Sequence, residues 1–296
     1  MEGSKMRVRF KDEALDKQLE EDGYIVIKNW LTAEQVAKMK QVFDDYYQAP
    51  EFSTNLWNTL IMTDEEVRQK INDRLIETIN PVLSKYFSDY FQPFGYFLTK
   101  PVDVAPREVG LHSDSSAVNE DKYGYLAIWL PLVDVTRSNG CMYMVPKSQK
   151  LFTYGQPFSM EWPYPKLVKS LKKYAVDLPM KAGDMLIFSG KTLHGSHPNH
   201  SKDPRPVVGT GLVRPDTEML YYYYDTENNL VKTYEVEPFF YFRGEYSEPV
   251  GRYPLKGSYT FNPPEVSEKT IKQFYAKSTV KSKGILNFIR RLGIGS

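Results

Sequence analysis

The feature that most restricts how this chain can fold is a change of texture at Phe91. Downstream, short runs rich in aromatic and β-branched residues alternate with turn residues, which is the pattern of strands. The runs are Tyr96–Lys100, Tyr125–Leu132, Cys141–Val145, Met185–Phe188, Val207–Val213 and Leu220–Tyr224, with turns at Ser138-Asn139-Gly140 and Ala182-Gly183-Asp184. Many short strands punctuated in this way predict a β-sandwich or barrel. Upstream, the spacing is helical. Leu15 and Leu19 precede a stop at Gly23, and Thr32 with Gln35 forms a capping box ahead of Val36, Met39, Phe43 and Tyr46. Thr63 and Glu66 repeat the capping pattern before Val67 and Ile71, and a further helix is expected over about 73–87. The expected architecture is mainly β with flanking helices.

The 296 residues allow one large domain. We expect a single unit over 1–296, with a mostly helical flank over about 1–90, a β core over about 91–225 and an extension over about 226–296. The segment 152–174 reads as an insertion between strands, either a lid or surface decoration. Lys and Arg number 38 against 37 Asp and Glu, so no bulk charge favours nucleic acid. No apolar run approaches the ~20 residues that span a bilayer, and the single cysteine, Cys141, forms no internal disulfide. Together with the polar N-terminal segment, these features lead us to expect a cytoplasmic protein without a membrane span. The basic segment Gly284–Arg291 could meet a membrane surface, a partner or its own domain.

Only four histidines occur: His112, His194, His197 and His200. His112 and Asp114 form a His-x-Asp pair, and residues two apart on an extended segment share a face. His194 can complete a set of two imidazoles and one carboxylate, the arrangement that binds non-haem iron(II) and leaves positions open. The bland alternatives are a chance His-x-Asp and a structural histidine in Leu193-His194-Gly195-Ser196. Arg205 follows His194 by eleven residues at the mouth of a strand. Its guanidinium fork suits a carboxylate, unless it is a surface arginine between prolines. His197 and His200 read as loop residues, and Cys141 as a small core residue. Lys100 and Thr99 stand on the strand before His112, where they could face a bound diacid.

These residues resemble the phytanoyl-CoA dioxygenase family of Fe(II)- and 2-oxoglutarate-dependent oxygenases. The matching stretches are Leu111–Asp114, Ala127–Pro146, Gly183–Phe188 and His194–Ser201 with Arg205, preceded by Asp22–Ile27 and Leu31-Thr32. The resemblance covers roughly residues 20–215. It implies a double-stranded β-helix (jelly-roll) core, with His112, Asp114 and His194 on the metal. It also implies that Ser196 and Trp129 join Arg205 around 2-oxoglutarate, and that O2 is the oxidant. The chain has Leu-His-Ser-Asp where the family often has Trp-His-Gln-Asp, and Pro-Lys-Ser-Gln where it often has Pro-Gly-Ser-His. Related halogenases lack the carboxylate, so Asp114 argues against halogenation. The implied reaction is hydroxylation of an unactivated C–H bond of a small organic molecule, with succinate and CO2 as co-products. The alternatives are desaturation or oxidative cyclisation in natural-product assembly. From other classes, the rivals are a non-catalytic metal-binding jelly-roll module and a zinc hydrolase, the latter without a His-Glu-x-x-His motif. The aromatic content of the insertion and of Leu220–Tyr224 places Trp162, Tyr164 and Tyr222 at the expected substrate pocket. Oligomeric state is not encoded in any motif.

Overall fold

The computed structural model describes residues 6–48, 56–102, 107–158, 160–243 and 247–279. The basic segment Gly284–Arg291 lies outside them.

The fold is built on two facing antiparallel sheets. The larger has the order Tyr24–Ile27, Met185–Ser189, Leu126–Pro131, Arg205–Leu212, Gly95–Lys100 and Trp57–Asn58. The smaller runs Val109–His112, His194–Ser196, Met142–Met144 and Val176–Leu178. This is the double-stranded β-helix, with helices packed on the outer face of the larger sheet. The period-2 alternation of a strand explains why the central run Leu126–Pro131 is apolar at nearly every position. Leu126, Ile128 and Leu130 pack on the helices beside Met39, Phe43, Leu75 and Ile79. Ala127 and Trp129 point the other way, into the space between the sheets with Met142, Met144, Leu186 and Phe188. A strand buried on both faces has no use for polar residues.

The helices follow their caps. Glu13–Asp22 ends at Gly23, which takes φ 83 and returns its N–H to Leu19. Ala33–Tyr46 starts on the reciprocal Thr32–Gln35 capping box. The next helix differs from the sequence expectation. One continuous helix, Glu65–Tyr86, replaces two, and its cap is Asp64 rather than Thr63, accepting from the Val67 amide. Pro81 lies inside it, but one buried face from Ile71 through Leu75, Ile79 and Leu83 carries the helix past the break.

A third sheet, Leu220–Asp225, Leu230–Glu235 and Leu255–Thr260, closes one side. It runs across the boundary expected near residue 225. The insertion 152–174 folds into short helical turns, among them Pro165–Leu167 and Val168–Leu171. It docks on the C-terminal helix Glu268–Thr279, where Tyr174 stacks on Tyr275 at 3.9 Å. Among the described residues, no helix is long and apolar enough to cross a membrane.

Candidate active site

The two histidines meet through strand pairing. His112 ends Val109–His112 and His194 opens His194–Ser196, and the antiparallel register sets them directly opposite. Cross-strand neighbours of this kind bring side chains within contact distance, and the two rings lie 4.3 Å apart. Asp114 sits just past the strand end. Its amide donates to the Gly190 carbonyl at 2.8 Å, which steers the carboxylate back until Oδ1 lies 3.5 Å from His194 Nε2. Nitrogen and oxygen atoms of all three residues fall within 4.8 Å of one another.

The imidazoles are oriented by the backbone. His112 Nδ1 lies 2.8 Å from the Gly110 carbonyl, and His194 Nδ1 lies 2.9 Å from that of Thr192. A carbonyl accepts only, so each Nδ1 carries the proton and each Nε2 keeps its lone pair for a metal. Burial, with His112 beside it, pushes His194 down to about 3, so it is a neutral ligand at any physiological pH. Desolvation pushes the Asp114 carboxyl up to about 6, against the pull of His112. A cation between the rings would relieve both penalties. The donor set of two neutral imidazoles and one carboxylate fits iron(II).

Arg205 lies on the same cavity wall. It opens the strand Arg205–Leu212 and is 1% exposed, yet its Nε and Nη1 have no hydrogen-bond partner among the described residues. Its guanidinium lies 5.2 Å from the Trp129 ring centroid. The Arg205 pKa is held down to about 9 by burial. Lys100, its cross-strand partner, is down to about 8 through burial and the Arg205 charge, and donates to the Arg107 carbonyl. Neither cation has a carboxylate partner among the described residues. Buried charges are ordinarily paired, so this pair fits an incoming anion such as the far carboxylate of 2-oxoglutarate. Ser196 shares the His194 face two residues on, and Ser196, Trp129 and Arg205 line one cavity of about 250 Å³ with the three metal-ligating candidates. Thr99 points away from this wall, as its register between Leu98 and Lys100 requires.

The structure does not bring Trp162, Tyr164 or Tyr222 to that cavity. Trp162 and Tyr164 pack with Phe152 and Tyr154, and the Tyr164 hydroxyl donates to the Pro264 carbonyl. Tyr222 donates to the Val118 carbonyl and borders a second cavity. Their aromatic character reflects burial against the third sheet and the C-terminal helix. The insertion reaches the metal cavity through Phe158 instead. Sequence reasoning missed Tyr96, Tyr125, Met219 and Tyr241 on the cavity wall. The available signal was the pair Gly209 and Gly211, two small residues on one face of a strand. His197 pairs with Asp177 at 2.6 Å, and Cys141 is buried between the sheets.

The fold and the site together define a non-haem metal centre in a double-stranded β-helix. A model of the phytanoyl-CoA dioxygenase (PhyH) family matches residues 19–207, and this chain belongs to that family. It is 30% identical over 115 residues to phytanoyl-CoA dioxygenase 1 of Oryza sativa subsp. japonica, a match covering 38% of this chain and 40% of that protein. The phytanoyl-CoA dioxygenase of Arabidopsis thaliana is likewise 30% identical over 115 residues, covering 37% of this chain and 40% of that protein. The chain thus spans about two fifths of the length of these curated relatives. Among solved structures, the epimerase SnoN in complex with Fe3+, alpha ketoglutarate and nogalamycin RO superposes with a TM-score of 0.52 at 17% identity, covering 82% of this chain and 97% of that one. EctD from S. alaskensis, with 2-oxoglutarate and 5-hydroxyectoine, superposes with a TM-score of 0.51 at 18% identity, covering 73% and 80%.

Proposed function

We propose that residues 1–296 form one oxygenase domain, dependent on Fe(II) and 2-oxoglutarate, that oxidises a C–H bond of a small organic molecule. The observation that carries the reading is Arg205, a buried cation with two nitrogens that have no partner among the described residues, on the wall of the cavity that holds the His112–Asp114–His194 cluster. A structural metal site has no need of such a group.

His112 and His194 would hold the metal through Nε2 and Asp114 through a carboxylate oxygen, three protein ligands that leave coordination positions open. Arg205 would take the distal carboxylate of 2-oxoglutarate, with Trp129 against its guanidinium and Ser196 beside it. When bound, iron and 2-oxoglutarate together supply the oxidation, with O2 consumed and succinate and CO2 released. The protein positions substrate against that centre and excludes water with an apolar wall, which suppresses side reactions.

Incubation with Fe(II), 2-oxoglutarate, O2 and a small-molecule panel, read by succinate and product mass, tests this reading. A gain of one oxygen identifies hydroxylation. A loss of two hydrogens identifies desaturation or oxidative cyclisation, the outcomes akin to natural-product assembly. No succinate with any panel member, and none without substrate, would refute the reading.

A further inference from the structure

The cavity wall beyond the metal is nearly free of charge. Among the described residues that line it, the ionisable groups other than tyrosine are His112, Asp114, His194 and Arg205. All four are committed to metal and 2-oxoglutarate in the reading above, on which this inference rests. The remaining wall is apolar or neutral, including Leu60, Phe94, Phe158 and Met219. The apolar character continues outward, where Ile61 lines the cavity while 61% exposed. Among the described residues, two cations stand near this side, and both hold partners, although Arg68 Nε has none. Arg68 donates to the carbonyls of Leu60, Thr63 and Arg243, and Arg243 pairs with Glu237 at 2.6 Å.

Three phenols interrupt the apolar wall. Tyr241 donates to the Leu220 carbonyl, and the larger sheet is built to admit the other two, Tyr96 and Tyr125. The cavity face of the strand Arg205–Leu212 carries Arg205, Val207, Gly209 and Gly211 in alternation. A Cβ on Gly209 would stand 2.4 Å from the Tyr96 ring, and one on Gly211 would stand 2.4 Å from the Tyr125 hydroxyl. Bare backbone at both positions therefore lets Tyr96 and Tyr125 lie against the sheet. Tyr125 also neighbours Asp114, since both sit against Gly190. Tyr125 thus stands beside a metal-ligating candidate, and Tyr96 lies against the same strand face and lines the same cavity, where a reacting molecule must be held.

We infer that the substrate is an uncharged, largely apolar small molecule whose hydroxyl or carbonyl group is held by the phenols of Tyr96 and Tyr125. A carboxylate in this chamber would be desolvated without a cation to answer it. Among the described residues beside Leu60 and Tyr241, the phosphates of a coenzyme A thioester would meet only Arg68, which holds three carbonyls, and Arg243, which pairs with Glu237. A phenol both donates and accepts, so it satisfies a neutral polar group without imposing charge.

Calorimetric titration of the full chain, loaded with Mn(II) and 2-oxoglutarate, tests the inference without turnover. The probes are two matched sets: decan-1-ol, decanoate and decanoyl-CoA, and 1-adamantanemethanol with 1-adamantanecarboxylate. Binding of 2-oxoglutarate itself is measured first, in wild type and Arg205→Ala. Its absence in wild type overturns the oxygenase reading and this inference with it. With 2-oxoglutarate bound, at least one alcohol should bind at least about thirtyfold more tightly than its carboxylate, and decan-1-ol more tightly than decanoyl-CoA. Tyr96→Phe and Tyr125→Phe keep the rings against Gly209 and Gly211, and each should weaken alcohol binding by about fivefold while 2-oxoglutarate affinity holds. Normal 2-oxoglutarate binding with neither alcohol preferred over its charged partners, including no binding by either alcohol, overturns the inference and leaves the oxygenase reading intact. Alcohol binding unchanged in both phenylalanine variants overturns the role of the phenols.

Discussion

Arg205→Met should make the ligand-free protein more stable and, at the same time, unable to use 2-oxoglutarate. The two effects share one cause. Arg205 is 1% exposed, two of its nitrogens lack partners among the described residues, and Lys100 lies opposite it on the next strand. Burial holds its pKa near 9, below the ordinary 12.5. At ~1.4 kcal/mol for each tenfold change in proton affinity, the unpaired cation costs at most about 5 kcal/mol. Methionine fills a similar volume without charge, and exchanges of buried ionic groups for apolar ones are neutral or stabilising by ~1–4 kcal/mol. For a chain of this size that is a rise in Tm of about 2–6 °C. Thermal unfolding with Mn(II), with and without 2-oxoglutarate, reads both effects. Saturating 2-oxoglutarate at about one hundred times its Kd should add ~2.7 kcal/mol to wild type and nothing to the variant. The reasoning is refuted if Arg205→Met lowers the ligand-free Tm by several degrees, or if 2-oxoglutarate stabilises variant and wild type equally.

Other expectations follow from particular contacts. Gly195→Ala would set a Cβ 2.6 Å from the Val109 carbonyl and 2.3 Å from the Tyr143 hydroxyl, forcing apart the strands that pair His112 with His194. Mn(II) affinity by calorimetry should fall by at least about tenfold, as for lost positioning partners of metal ligands. Asp16 is buried beside Arg7 and Arg9 and accepts from the Phe10 amide. Burial alone would raise its pKa, but these partners outweigh it and hold the carboxyl below its ordinary value. Its contribution is therefore complete above the unfolded pKa of ~3.9 and lost as pH falls through the lower folded value. Asp16→Asn should cost about 1–3 kcal/mol in urea melts at pH 7, and the gap to wild type should close at strongly acidic pH. Thr32→Ala removes the reciprocal cap of Ala33–Tyr46 and should cost about 1 kcal/mol, with no change in metal binding.

The metal cluster was legible in the sequence because its members sit at rigid places: a His-x-Asp beside a strand end, and a histidine eleven residues before an arginine. Caps were legible for the same local reason, as Gly23 and the Thr32–Gln35 box illustrate. The strands that carry the histidines were not, since Val109–His112 and His194–Ser196 are too short to display a period. Leu255–Thr260 escaped notice because every residue in it is exposed, leaving no apolar alternation to read. The single helix Glu65–Tyr86 reads as two because its caps and spacing are local signals, whereas the continuous buried face from Ile71 to Leu83 that joins them belongs to tertiary packing. Trp162, Tyr164 and Tyr222 show the general difficulty in placing a pocket. Aromatic content announces burial, but only the fold decides which surface a ring is buried against. Here that surface is the third sheet and the C-terminal segment, while the cavity is walled by tyrosines whose room is made by Gly209 and Gly211.

The central claim is that His112, Asp114 and His194 hold iron(II) in the same chamber in which Arg205 receives 2-oxoglutarate. Anaerobic titration of the iron(II)-loaded protein with 2-oxoglutarate, followed by visible absorption, tests it directly, because chelation of iron(II) by an α-keto acid produces a charge-transfer band. The account predicts that band in wild type, its loss in His194→Ala, and in Arg205→Ala its appearance only at a concentration of 2-oxoglutarate at least about thirtyfold higher. Tight iron(II) binding with no band in wild type, or an unaltered titration in Arg205→Ala, would contradict it.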